Sequence, residues 1–107
     1  NGAATTIVIG AHFDHLGNGH HTSALDTTSG IHNGADDNAS GTAGVLELAN
    51  YFAKNDIKEN NNFLFLCFSA EEDGLVGSKH FTQMPTISID KINIFYYINS
   101  SFSLEKK

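Results

Sequence analysis

Three short polar clusters carry the side chains able to do chemistry: His12-Phe13-Asp14-His15, Asp36-Asp37 and Glu71-Glu72. Imidazole nitrogens and carboxylate oxygens gathered at one place are the donors of a zinc site. His12 and Asp14 stand two residues apart, so in extended backbone both point to the same side. Asp36 and Asp37 put two like charges side by side, from which a soluble protein gains nothing obvious. Taken singly, each cluster has an ordinary explanation. A His-x-Asp pair is commonly a surface pair, adjacent acids at a helix start are favoured by the macrodipole, and Glu71-Glu72 would serve as solvated charges opening a helix. Their joint placement singles them out, because all three fall at the ends of successive elements separated by apolar strands. His20, His21, His32 and His80 lack that placement and read as loop or surface histidines, the first three able to line a pocket.

The elements that must position these clusters are legible in the hydrophobic pattern. TIVIGA, residues 6 to 11, is a β-branched run that ends in HFDHLG, a strand feeding a loop. The stretch from 17 to 34, rich in Gly, Ser, Thr and His, has no period and reads as a surface loop. Val45, Leu46, Leu48, Ala49, Phe52 and Ala53 recur at three- and four-residue spacing. That spacing predicts an amphipathic helix from Ser40 to about Lys54, capped by Asn38 or Ser40. FLFLCFSA, residues 63 to 70, is apolar at nearly every position, as expected of a strand covered on both faces and central in its sheet. LVGSKHFTQ predicts a second, shorter helix ending near Pro85, and INIFYYI, residues 92 to 98, a third strand. Strands alternating with helices imply an α/β fold with parallel pairing and right-handed crossovers. In such sheets ligand sites lie outside the carboxyl ends of the strands, where the three clusters fall.

Composition narrows the function classes. The chain has 107 residues, 40% of them hydrophobic, and one Pro, which fits a single domain with a modest core. Six Lys and Arg against twelve Asp and Glu give a formal net charge of −6, with no basic footprint for nucleic acid or an anionic membrane. The longest apolar runs, FLFLCF and IFYYI, are far shorter than a bilayer span, so no membrane span is expected. Cys67 has no partner for an internal disulfide and, inside the most apolar run, is expected as a buried thiol.

IGAHFDHLG, NGADDNASGTAGVLELA and FLFLCFSAEEDGLVGSKHF, in that order, resemble the successive motifs of metallopeptidase family 28. These are the co-catalytic dizinc aminopeptidases whose relatives include glutamate carboxypeptidase. The resemblance implies a three-layer α/β sandwich with a mainly parallel sheet. It implies His12 as a ligand of one zinc, with the Asp14 carboxylate orienting its imidazole. Asp36 would bridge both zincs, with Asp37 following it through a cis peptide, and Glu72 would bind the second zinc. Glu71 would be the general base, taking a proton from a metal-bridging water that attacks the scissile carbonyl of a peptide substrate.

Departures from the family pattern set further expectations. The family's third strand ends in an Asp that completes the first zinc's shell, and this sequence has Asn99 there, a weaker amide ligand. The family also supplies a His to the second zinc from much farther along the chain, and it has early strands before the first motif. Residues 1 to 107 therefore read as one partial catalytic domain, its central part, with the family's N- and C-terminal parts missing. Alone it is expected to be inactive and to self-associate through unprotected sheet edges. Relatives of this kind are mostly secreted or periplasmic, so an extracellular or periplasmic place is expected. Two other readings stay open: a non-catalytic binding domain like those of transferrin-receptor relatives, and a single-zinc acyltransferase like glutaminyl cyclase. The Asp36-Asp37 pair, suited to two metals, speaks against the latter.

Overall fold

The structure, a computed structural model, describes residues 5–18 and 30–99. Its sheet has β1 (Thr6–His12), β2 (Asn62–Phe68) and β3 (Ile92–Tyr97), all parallel, in the order β2-β1-β3. Helix α1 (Gly41–Lys54) joins β1 to β2, and α2 (Val76–Gln83) joins β2 to β3. The strand expected to be central is not. β1 lies between its two neighbours and is buried at six of its seven positions, whereas β2 pairs with β1 alone among the described residues. Cys67, expected as a buried thiol, is accordingly exposed on that outer strand.

β2 is apolar because both of its faces meet a layer. Alternation sends Ile7, Ile9 and Ala11 of β1 to one face and Val8, Gly10 and His12 to the other. On the first face Val45 of α1 packs with Ile9 and Ala11, flanked by Ile7, Phe63, Phe65 and Ile98. Phe52 of α1 stacks on Phe63 with ring centroids 4.1 Å apart. On the second face Gly10 admits the Phe68 ring, which a Cβ at that position would meet at 2.9 Å. Phe68 then meets Phe95 at 6.3 Å and Phe81 of α2 at 6.1 Å. The two helices therefore cover opposite faces, giving the three layers of an incomplete α/β sandwich. No helix among the described residues is long and apolar enough to cross a membrane.

The strand ends are tied together by Asn38. Its amide nitrogen donates to the Ile98 carbonyl at 2.7 Å, and its Oδ1 accepts the Gly41 N–H at 3.0 Å. Of the two expected caps, Asn38 is the one that serves the first turn of α1; the Ser40 hydroxyl donates back to the Asp36 carbonyl. Asn38 is 1% exposed, so both bonds are made away from water. Asn38→Ala should therefore lower unfolding stability by about 2–4 kcal/mol, the cost of a lost cap and of buried partners left unpaired. Denaturant titration of the intact protein measures it, with a loss under about 0.5 kcal/mol counting against this role.

Candidate metal centre

β1 carries His12 to its carboxyl end, on the α2 face, where the imidazole is fully buried. Nδ1–H donates to the Asp14 main-chain carbonyl at 3.1 Å. Nε2 faces Asp37 Oδ1 at 3.0 Å and Asn99 Oδ1 at 3.3 Å. A ring whose two nitrogens both face oxygen acceptors needs positive charge, from a second proton or from a cation. Burial opposes that charge; the Glu71 carboxylate, the bonds to Asn99 and to the Asp14 carbonyl, and the Asp37 carboxylate outweigh it and raise the His12 pKa.

The two adjacent aspartates separate in the turn of Ala35–Ser40. Asp36 is exposed, and its carbonyl accepts the Ser40 hydroxyl. Asp37 leaves the helical course (φ −108°, ψ 91°) and points its carboxylate at His12. The cis peptide lies between Asp37 and Asn38, not between Asp36 and Asp37 as expected. Asn38, held inward by its bonds to Ile98 and Gly41, fixes the turn so that the residue just before it faces the strand end. The structure thus brings Asp37, rather than Asp36, to the other candidate ligands.

A second group of donors also includes Asp37. His15 Nδ1 lies 2.9 Å from Glu72 Oε1, and one donor atom each from His15, Asp37 and Glu72 fall within 4.8 Å of one another. Donors around a tetrahedral zinc sit roughly 3.3 Å apart, given bonds of about 2.0–2.2 Å, so small side-chain rotations suffice. Asp37 is shared between this group and the pair His12 and Asn99. The donor types, imidazole and carboxylate with one amide, fit zinc.

Asp14 has a different part from the one expected. Its carboxylate is 3.7 Å from His12 Nδ1, and its main-chain carbonyl is what holds the ring. The carboxylate oxygens instead accept the N–H groups of Glu71 at 3.1 Å and Glu72 at 3.2 Å, fixing the start of the segment after β2. Glu71 is half-buried beside these charges. Burial raises its pKa, the His12 charge pulls it down, and Glu72, Asp37 and Asp14 raise it again, for a net rise. Tyr97 at the end of β3 lies parallel to the His12 ring with centroids 6.4 Å apart. Burial and the charges of Glu71, Asp14 and Asp37 push its hydroxyl up to about 12.

His15 was not singled out by spacing, since it follows the strand and escapes the two-residue rule that pairs His12 with Asp14. Its only sequence signal is membership of the HFDH cluster. His32 stands beside it, ring centroids 6.3 Å apart. His80 is exposed on α2, and His20 and His21 lie outside the described residues.

Peptidase family M28 matches residues 1–103. The vacuolar membrane protease of Verticillium alfalfae is 29% identical over 82 residues, which is 77% of this chain and 7% of that protein. The chain thus spans a small part of that relative's length. No solved structure gives a significant match.

Proposed function

Because the chain belongs to peptidase family M28, we propose that it forms the metal-binding core of a zinc-dependent aminopeptidase acting on the first peptide bond of its substrate. The observation that carries this reading is the position of Asp37, whose carboxylate lies 3.0 Å from His12 Nε2, itself 3.3 Å from Asn99, and also falls within 4.8 Å of donor atoms of His15 and Glu72. His12, Asp37 and Asn99 would hold one zinc, and Asp37 and Glu72 a second. When bound, zinc supplies a Lewis acid for the scissile carbonyl and makes water more acidic.

The chain's own groups do the rest. Glu71 takes a proton from the attacking water at its carboxylate and delivers it to the departing amine nitrogen. Asp14 holds the main chain of Glu71 and Glu72 through their N–H groups, which limits where the base can reach. The Asp14 carbonyl, by accepting from His12 Nδ1, leaves Nε2 directed at Asp37. With Asp37 and Glu72 committed to zinc, the free ammonium of a peptide N-terminus would meet the carboxylates of Asp14 and Glu71, which favours attack at the terminal bond. The Verticillium relative, named as a vacuolar membrane protease, supports action at such a membrane rather than the extracellular or periplasmic place expected from the sequence.

An amino-acyl p-nitroanilide and its N-acetylated counterpart test this on the intact protein. Hydrolysis of the free-amine substrate is expected, with the acetylated one at least about tenfold slower. A zinc chelator should abolish the activity and added zinc restore it. Equal rates on both substrates contradict the aminopeptidase reading; no hydrolysis by the zinc-loaded protein favours the non-catalytic one.

A further inference from the structure

We propose that His15 is itself a cation ligand, joining Asp37 and Glu72 at the second cation. The inference rests on the zinc reading above and adds a residue to it.

The His15–Glu72 contact places an imidazole nitrogen and a carboxylate oxygen 2.9 Å apart, close enough for both to turn onto one dication. The neutral ring then carries its proton on Nε2 while Nδ1 donates its lone pair. Both side chains are largely withdrawn from solvent, 22% and 19% exposed, so water competes weakly for the cation. With Asp37 the set reaches the three protein ligands usual for a catalytic zinc.

The ring is also seated. Gly34 lies against it in the left-handed region at φ 62°, and a Cβ there would come within 2.7 Å of the His15 Cβ and Cγ. A glycine thus makes the space that the imidazole fills, and the same glycine opens the turn that carries Asp37. His32 meets the ring edge-on, and its Nε2 is buried with no hydrogen-bond partner among the described residues. If His15 served only to orient Glu72, neither the seat nor the convergence on Asp37 would be required.

The test compares the intact wild-type protein with His15→Ala, His15→Gln and Asp37→Asn. Zinc per chain is measured after equilibration in chelator buffers, imidazoles per zinc by X-ray absorption, and folding by circular dichroism. Both His15 variants are expected to lose one zinc equivalent, with affinity at that site down more than about 100-fold, while the remaining zinc keeps the one imidazole of His12. A fall of only 10–100-fold with two zincs retained is the usual effect of an outer partner; it overturns the proposal, as does no change. If one variant misfolds, the other decides, and the imidazole count of the wild type decides if both do: His12 as the sole imidazole overturns the proposal. A wild type that binds no zinc, or zinc indifferent to Asp37→Asn, fails the underlying reading instead.

Discussion

Glu71→Gln is expected to lower kcat by roughly 10²–10⁴-fold while zinc content stays at the wild-type level. The amide keeps the size and polarity of the carboxylate but cannot accept a proton from water and pass it to the leaving amine. The substitution also leaves the support of this position intact, because Asp14 holds residues 71 and 72 through their main-chain N–H groups, which any side chain retains. Glu72→Ala makes the contrast. Glu72 meets His15 and Asp37 at the candidate centre, so its loss should remove a zinc and the activity together. Zinc per chain and kcat on an amino-acyl anilide separate the two. If Glu71→Gln strips zinc, or turns over like the parent when fully loaded, Glu71 is not the base.

Asp37→Asn should be among the most damaging single substitutions in the centre, lowering kcat/KM on the order of 10³-fold or more. Removing an outer partner of a metal ligand typically costs about 10–100-fold. Here one carboxylate serves two groups of donors, so exchanging it for an amide weakens both at once. Asp36→Asn, one residue earlier, should change kcat/KM by about twofold at most, since exposed substitutions usually shift energies by ~0.5 kcal/mol or less. Asp36 is exposed and engages Ser40 through its main-chain carbonyl, which the substitution leaves in place. Parallel kinetics and zinc analysis of the two variants check the pair; equal losses contradict the separation of roles.

The contrast between Asp36 and Asp37 also marks where reading the sequence stops short. Helix α1 was legible to within a residue of its observed start because Val45, Leu46, Ala49 and Phe52 repeat at helical spacing and Lys54 ends the run. The gathering of all three polar clusters at one edge followed from strand–helix alternation alone. Which of two neighbouring carboxylates turns inward did not, because it is set by Asn38, whose amide reaches Ile98, sixty residues away. His15 was hidden for a similar reason: its ring is placed by Gly34 in a left-handed conformation, across a loop with no period. The strand order was missed because composition reports how many faces of a strand are covered, not how many neighbours it has. Phe63 and Phe65 meet α1 and Phe68 meets α2, which makes β2 apolar throughout while it pairs with β1 alone among the described residues. For Asp14, residue spacing identified the partner, His12, but not the atom. The main-chain carbonyl takes the imidazole and frees the carboxylate for the glutamates.

The most direct measurement is zinc-edge anomalous diffraction from crystals of the intact, zinc-loaded protein. Two anomalous peaks are expected, one on each side of the Asp37 carboxylate, the first bounded by His12 and Asn99 and the second by Glu72 and His15. Peaks lodged against Asp36, or no peak within coordination distance of Asp37, would contradict a shared Asp37 ligand and with it the two-zinc peptidase site.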